Sequence, residues 1–242
     1  MKFTLLTIII LGIFSCKSSN NMLPEDSEKP MTENPTDNSD QLTYLALGDS
    51  YTIGEGVSDT GRYPSQLIAK LNTETDKKWA SPKVIARTGW TVDELEKGIK
   101  AENIEGNTYD LVTLSIGVNN QYRGLPISKF EEEFETMLLK AISFAAVNTK
   151  HVVVLSIPDW GITPFAKKSG RDESKIAQEI DSYNSIKAKI CEKNGVTYID
   201  ITEQYRALGS QEEMLAADGL HPSAEMYSLW TEKLFEQLVS IY

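Results

Sequence analysis

The sequence predicts an α/β fold with about five parallel strands in a central sheet and helices on both of its faces. Two observations lead to this prediction. Short apolar runs of strand length alternate along the chain with longer stretches whose apolar residues recur at helical spacing. The run over 151–157 is continuously apolar and β-branched, as expected for a strand that is covered on both faces. Strands that alternate with helices form parallel sheets, so the pattern favours three layers with the sheet in the middle.

Each element has its own signal in the sequence. Strands are predicted over 43–47, 83–87, 110–116, 151–157 and 196–201. Helices are predicted over 62–72, from 91, over 128–147, over 172–192 and over 222–241. Thr91 and Glu94 form a capping-box pattern at one of these helices, and Ser128 and Glu131 form another. Pro222 suits the first turn of the last helix.

The chain begins with a predicted export signal over residues 1–16. Lys2 precedes an apolar run that is too short to span a membrane as a mature helix and is typical of a signal peptide. The run leads to Cys16 and resembles a bacterial lipoprotein signal, in which that cysteine is lipidated after cleavage. An ordinary secretory signal with an incidental cysteine is the alternative. We therefore expect an exported protein that is anchored to a membrane of a bacterial cell envelope through lipid.

The next stretch, residues 17–41, is polar and nearly devoid of large apolar side chains. Such a segment cannot bury enough surface to order itself, so a flexible tether is predicted. The folded domain is then expected to span residues 42–242.

Composition limits the partners of this domain. The formal net charge is -11 at pH 7. Nucleic acid and anionic membrane surfaces are disfavoured because phosphate binding needs a basic face. Cys191 is the only cysteine after Cys16, so an internal disulfide within the domain is excluded. We expect Cys191 to be a buried, small apolar side chain.

Reactive side chains follow the predicted strands. Ser50 comes just after the first strand, where ligands bind in an open parallel sheet. A serine hydroxyl is a weak nucleophile until a base takes its proton. The chain has two histidines. His151 opens a strand at the opposite edge of the sheet, which leaves His221 as the candidate base.

The segment around His221 suggests how the imidazole is oriented. Asp218 lies three residues earlier and can hold the required tautomer and stabilise the imidazolium. The spacing is also that of neighbours on a helix. Pro222 disfavours helical geometry at the preceding histidine, however, so we expect a loop in which Asp218 folds back toward the ring.

Four short motifs carry a family resemblance, and they occur in the order Gly48-Asp-Ser50, Gly89, Gly117-x-Asn119 and Asp218-x-x-His221. They match the four sequence blocks of the SGNH, or GDSL, hydrolase superfamily, and the resemblance extends from about residue 42 to the C-terminus. It implies a flavodoxin-like sheet and a serine esterase without metal or cofactor.

The resemblance also assigns roles. It implies that Ser50 is the nucleophile, His221 the base and Asp218 the residue that orients it. The backbone N–H groups of Ser50 and Gly89 and the side-chain amide of Asn119 would form the oxyanion hole. The third block of the family often ends in aspartate, whereas this chain has Asn120, which puts a charge-based role of that position in doubt.

Two other α/β classes do not fit. The nucleophile elbow of α/β-hydrolases needs glycine two residues after the serine, and this chain has Thr52 there. A dinucleotide fold needs Gly-x-Gly-x-x-Gly directly after a strand, and the sequence contains no such run.

The expected reaction is hydrolysis of a small carboxylic ester through an acyl-enzyme on Ser50. Tyr51, Trp90 and Trp160 are candidate pocket residues that suit sugar faces or acyl chains equally. A short acyl group, as on an acetylated carbohydrate, is favoured because no long apolar lid is evident. A lysophospholipase or acyltransferase acting on lipid esters and a non-catalytic surface binding module are the alternatives. Arg123 is expected to be a solvated charge.

Overall fold

The structure, a computed structural model, describes residues 41–242. Its centre is a five-stranded sheet in the order β2-β1-β3-β4-β5, and every neighbouring pair is parallel. The strands are β1 (Tyr44–Gly48), β2 (Lys83–Ala86), β3 (Leu111–Ser115), β4 (Val152–Leu155) and β5 (Thr197–Ile199). The predicted α/β fold is therefore confirmed, although β4 and β5 are shorter than the sequence indicates.

Helices cover the sheet in two groups. α2 packs against α9, whereas α3, α5 and α7 pack in a row. All residues of β1 and β3 are buried, as required of central strands with cover on both faces. The helices are α1 (Ser50–Ile53), α2 (Tyr63–Glu74), α3 (Val92–Ala101), α4 (Val118–Tyr122), α5 (Ile127–Phe144), α6 (Pro164–Ser169), α7 (Glu173–Asn194), α8 (Thr202–Leu208) and α9 (Ala224–Leu238).

One predicted capping box is present and the other is not. The Thr91 N–H donates to the Glu94 carboxylate at 2.9 Å at the start of α3, which confirms the first. The prediction that Ser128 caps α5 is wrong. α5 begins at Ile127 after Pro126, so Ser128 already lies in its first turn and makes no capping contact.

The last helix also starts later than the sequence suggests. Ser223 is the N-cap of α9, and its hydroxyl accepts a hydrogen bond from the Met226 N–H at 3.3 Å. The prediction that Pro222 lies in the first turn is wrong. Pro222 pairs instead with Leu215 in an isolated antiparallel bridge, which fixes the chain just before the helix.

Several short helices were not predicted, and two of them shape the edge of the sheet that carries the reactive residues. α1 follows β1 after one residue and has only four residues, and α4 has five. Helices this short contain too few apolar positions to show a period.

The predicted buried position of Cys191 is confirmed, since its side chain is inaccessible to solvent. Burial raises the pKa of this thiol to about 12, so it is not a reactive thiolate. The predicted signal over 1–16 and nearly all of the predicted tether over 17–41 lie outside the described residues. Within residues 41–242, no helix is long and apolar enough to cross a membrane.

Candidate active site

A cleft of about 190 Å³ opens at the carboxyl edge of the sheet. Six of the sequence-predicted site residues line it, although they come from five separate segments that follow the five strands. The lining consists of Ser50, Tyr51, Thr88, Gly89, Val118, Asn119, Tyr122, Trp160, Phe165, Leu220 and His221.

Ser50 reaches the cleft through a tight turn between β1 and α1. The Asp49 carboxylate accepts a hydrogen bond from the Tyr51 N–H at 3.1 Å, which caps α1 and makes Ser50 its first residue. A Cβ at Gly48 would lie 2.1 Å from the Thr52 hydroxyl oxygen, so only glycine fits below this turn. The first N–H groups of a helix have no partner within it, and the Ser50 N–H is therefore available to a ligand.

His221 and Asp218 are joined inside one loop. The Asp218 Oδ2 lies 2.5 Å from the His221 Nδ1, and the Asp218 Oδ1 accepts the N–H groups of Leu220 at 2.9 Å and His221 at 3.0 Å. Burial raises the pKa of Asp218, but the hydrogen bonds from His221 and Leu220 outweigh it and hold the pKa below the usual range. The segment is not helical, as predicted from Pro222.

Aromatic rings pack against the His221 imidazole. The Tyr51 ring lies 5.3 Å from the His221 ring and 6.3 Å from Trp230, centroid to centroid. The hydroxyl of Tyr227 donates to the Tyr51 carbonyl at 3.0 Å. Tyr51 is only 3% exposed, yet it lines the cleft as predicted, and its ring also packs against the imidazole.

The reacting atoms themselves are unpaired. Among residues 41–242, no hydrogen bond engages the Ser50 hydroxyl or the His221 Nε2, and both side chains line the same cleft. The hydrogen bond between a nucleophile and its general base is often long without substrate and tightens only when substrate binds.

Gly89 lies in a turn after β2. The Trp90 N–H donates to the Arg87 carbonyl at 3.2 Å, and Gly89, at the third position of the turn, has a φ of 85°. This is the position at which a type II turn requires a positive φ. A Cβ at Gly89 would meet only the Arg123 Nη2, at 3.7 Å. The backbone angle, rather than space within the protein, is therefore what requires glycine.

Asn119 and Asn120 tie this turn to α4. The Asn119 Nδ2 donates to the Trp90 carbonyl at 3.0 Å, which uses one of its two N–H bonds and leaves the other for the cleft. The Asn120 Oδ1 accepts the Val92 N–H at 3.1 Å, and Asn120 is buried. A neutral acceptor therefore fills the position where the family often has aspartate.

The two predicted tryptophans differ in position. Trp160 lies in the apolar wall of the cleft and donates its Nε1–H to the Gln121 side chain at 2.8 Å. Trp90 is not among the cleft residues. Its indole covers Gly98 of α3, where a Cβ would come within 2.1 Å of the ring. The prediction that Trp90 lines the pocket is wrong because its ring fills this gap on the helix.

The sequence did not predict the contacts of two cationic side chains, Arg123 and Lys187. Arg123, expected to be solvated, donates to the Gly89 carbonyl and to Glu94. Lys187, which the sequence places in the middle of a helix, is fully buried and donates to the carbonyls of Ile116 and Leu155 at 2.9 and 2.8 Å. These carbonyls follow or end neighbouring strands, so Lys187 links β3 and β4 below the cleft.

Burial shifts both ionisable groups beneath the nucleophile. It raises the pKa of Asp49 to about 7, against the opposing effects of the Tyr51 N–H and the Lys187 charge. It lowers the pKa of Lys187 to about 8. Within the described part of the chain, no group of three or more His, Cys, Asp or Glu side chains is placed to hold a metal ion.

A serine, a carboxylate-bound imidazole and amide donors at the edge of a parallel sheet are the groups that acyl transfer through a serine nucleophile requires. The sequence model of the GDSL-like lipase/acylhydrolase family matches residues 46–229. The chain belongs to this family and is a carboxylic ester hydrolase with the SGNH hydrolase fold.

Individual relatives are distant in sequence. The chain is 20% identical over 249 residues to the uncharacterized protein YpmR of Bacillus subtilis (strain 168), with 98% of this chain and 95% of that protein covered. It is similar in fold to TesA, with a TM-score of 0.64, 18% identity, and coverage of 83% of this chain and 99% of that one.

A second solved structure is the acetylxylan esterase Axe2 from Geobacillus stearothermophilus, with a TM-score of 0.61 and 17% identity. The match covers 81% of this chain and 94% of that one. Structural similarity at such low sequence identity shows a shared fold and nothing more specific.

Proposed function

We propose that the protein is a serine esterase that hydrolyses short-chain acyl esters through an acyl-enzyme on Ser50. The observation that carries this proposal is the shared cleft of Ser50, Gly89, Asn119 and His221, with Asp218 2.5 Å from the histidine ring. Membership of the family supports an ester as the substrate, and the geometry of the cleft supports these residues as the ones that cleave it.

In the first half of the proposed reaction, His221 Nε2 takes the proton of the Ser50 hydroxyl as its oxygen attacks the ester carbonyl. The tetrahedral intermediate then collapses, and the imidazolium returns the proton to the leaving alcohol. Asp218 holds the Nδ1–H tautomer and stabilises the positive ring. In the second half, His221 takes a proton from the water that attacks the acyl carbonyl, and the imidazolium returns this proton to the Ser50 oxygen as the carboxylic acid is released.

In this proposal three donors stabilise the oxyanion of the intermediate: the N–H groups of Ser50 and Gly89 and the free amide hydrogen of Asn119. Removing one such donor costs roughly 3 kcal/mol of transition-state stabilisation in comparable sites. Since the donors are part of a helix start and a fixed turn, they need little reorganisation when charge develops.

The size and lining of the cleft support a short acyl group. Its volume of about 190 Å³ is small, since pockets for drug-sized ligands occupy roughly 300–1,000 Å³. Its wall is apolar and contains Val118, Tyr122, Trp160, Phe165 and Leu220. An acetylated carbohydrate fits these properties, and one similar fold bears the name acetylxylan esterase.

A chain-length series tests the proposal. Nitrophenyl esters of acetate, butyrate, octanoate and palmitate would be compared with acetylated xylo-oligosaccharides and a lysophospholipid. We expect the highest kcat/KM on acetyl esters, an initial burst of nitrophenol, and a loss of at least about 1,000-fold in Ser50→Ala. Ser115→Ala is the matched control, because Ser115 is also buried at the end of a strand but does not line the cleft.

Each alternative gives a different result. Faster hydrolysis of the lysophospholipid than of acetyl esters would favour the lipid substrate. Transfer of the acyl group to an added alcohol in preference to water would identify an acyltransferase. Activity that is equal in Ser50→Ala and the unchanged protein would contradict the mechanism, and absence of any turnover would favour a binding module.

We also propose that the protein is exported and held on a bacterial envelope membrane by lipid on Cys16, with residues 17–41 as tether. The support is the apolar run before Cys16 and the polar composition after it. In cells fed a labelled fatty acid, label and membrane association should be lost in Cys16→Ser and retained in Cys191→Ser. Equal labelling of both variants, or none in the unchanged protein, would contradict the anchor.

A further inference from the structure

We propose that Arg123 is a positioning residue of the oxyanion hole, which acts by holding the Gly89 carbonyl and thereby fixing the Cα that follows the donor N–H. The inference rests on the proposed function, because it assigns a support to a donor of that reaction. It is distinct from it, because the esterase mechanism does not require this arginine.

The contacts of Arg123 converge on the turn that carries Gly89. Its Nη2 donates to the Gly89 carbonyl at 2.5 Å, and its Nη1 donates to the Glu94 Oε1 at 3.1 Å. Its own backbone N–H donates to the Asn119 carbonyl at 3.1 Å, which fixes the arginine at the end of α4. One guanidinium therefore links three segments: the turn after β2, the first turn of α3 and the end of α4.

Glu94 is itself held in place. Its Oε2 accepts the Thr91 N–H at 2.9 Å in the capping box, while Oε1 faces Arg123. The hydrogen bond from Thr91 and, with a smaller contribution, the one from Arg123 hold the pKa of Glu94 below its usual range. Glu94 is thus a carboxylate at neutral pH, and it fixes the second arm of the guanidinium.

The turn needs such support because its functional donor has no partner of its own. Among the described residues, the Gly89 N–H donates to no acceptor, and the positive φ of 85° belongs to a region that glycine leaves easily. Peptide units are rigid planes, and the donor N–H lies in the plane between Thr88 and Gly89, so holding the carbonyls of the next two planes fixes the Gly89 Cα at one end of the donor plane. Arg123 holds the Gly89 carbonyl and Asn119 holds the next one, that of Trp90.

Direct contact with substrate is the competing role for Arg123. The side chain is about two-fifths exposed, but the arginine is not among the residues that line the cleft. The expected consequence of losing it is a slower chemical step with little change in substrate affinity.

The test compares Arg123→Met, which keeps much of the aliphatic stem and removes every donor, with Arg123→Lys. On nitrophenyl acetate we expect kcat to fall about 10-fold in Arg123→Met, with KM within twofold of the unchanged protein. A boronic acid that forms a tetrahedral adduct with the Ser50 hydroxyl provides the second readout. Its inhibition constant should rise by about the same factor as kcat falls, because it places an oxygen in the oxyanion hole. Arg123→Lys should recover part of both losses.

Two further variants separate positioning from general stability. Lys140→Met removes a different bond to α3, the one from Lys140 to Glu96 at 2.8 Å, and should leave kcat and boronate inhibition unchanged. Glu94→Gln retains a residue that suits the capping box but removes the charge facing Arg123. It should lower kcat about threefold, and its effect should largely disappear in the Arg123→Met background.

The outcomes distinguish this inference from the esterase proposal. If the protein is an esterase that depends on Ser50, but Arg123→Met changes only KM or only the melting temperature, Arg123 has no positioning role. Equal effects in Lys140→Met would likewise overturn it. If Ser50→Ala retains full activity, the proposed function fails first, whatever the arginine variants show.

Discussion

The two sides of the cleft are built in different ways. The histidine side consists of residues 218–221, and the Asp218 carboxylate makes its hydrogen bonds within those four residues. The amide side consists of the turn over 87–90 and the first turn of α4, and its contacts join segments about 30 residues apart. The carboxylate that orients the imidazole is therefore held within its own loop, although the backbone of that loop also accepts hydrogen bonds from Phe165 and Tyr205. The amide donors are held by bonds between loops.

A catalytic group can thus be oriented by contacts within its own loop or by contacts between distant elements. A carboxylate that accepts the N–H groups of the next residues forms a local turn, which can form before distant elements pack. The amide side takes shape only when β2, α3 and α4 are all in place. Substitutions on the histidine side should remove a chemical role, whereas substitutions on the amide side should misplace donors that remain present.

The largest expected effect is on the histidine side, in Asp218→Asn. Asparagine keeps an oxygen for the N–H groups of Leu220 and His221, so the turn should survive. Its amide nitrogen cannot accept the His221 Nδ1–H, and the imidazole would then favour the wrong tautomer. We expect kcat to fall by roughly 1,000-fold or more, with the melting temperature changed by a few degrees at most.

Asp172→Asn is the control for the loss of a capping carboxylate. Asp172 accepts the Lys175 N–H at 2.8 Å at the start of α7, and no residue of α7 lines the cleft. Its variant should retain full activity. A fall in kcat of less than tenfold in Asp218→Asn would show that the local turn alone orients the histidine.

A smaller effect is expected on the amide side in Gly89→Ala. The left-handed conformation costs a non-glycine residue roughly 1–2 kcal/mol, and a flip of the turn relieves this strain by turning the N–H away from the cleft. We expect a fall in kcat of about 10-fold with KM nearly unchanged, measured by steady-state kinetics on nitrophenyl acetate.

Gly106→Ala is the matched control. Gly106 has a φ of 89°, and a Cβ there would meet nothing within 4 Å. Both variants should lose similar stability, which thermal unfolding measures, but only Gly89→Ala should lose activity. Equal activity in the two would mean that the Gly89 N–H takes no part in the reaction.

The same contrast explains what the sequence could predict. Asp218-x-x-His221 is a local motif, and Pro222 was enough to predict a loop in which the carboxylate folds back. The alternation of strands and helices predicted the sheet because periodicity is also local. By contrast, Arg123 appeared to be solvated because its partners, Gly89 and Glu94, are remote in sequence. Lys187 was missed for the same reason, since backbone carbonyls of other elements satisfy it and carry no sequence signal.

The pocket residues show the limit for side-chain direction. Tyr51, Trp90 and Trp160 all follow strands at the correct edge of the sheet, but only Tyr51 and Trp160 line the cleft. Tyr51 also packs against His221, and Trp90 covers Gly98. The direction of each ring depends on the space that neighbouring helices leave, as the space beside Gly98 does for Trp90. The sequence position of the ring does not reveal that space.

The smallest effect is expected for Asn120→Asp, which converts the third block to the form often seen in the family. The Asn120 oxygen accepts the Val92 N–H at the start of α3, and an aspartate oxygen accepts it equally well. A helix N-terminus favours negative charge, which offsets part of the cost of burying the carboxylate. We expect kcat within about threefold of the unchanged protein. Asn120→Leu has similar volume but no acceptor, so it should release the turn and lower kcat more than Asn120→Asp does. If instead the aspartate variant is much faster, the charge at this position has a role of its own, and contacts to backbone groups are not sufficient to hold the amide side.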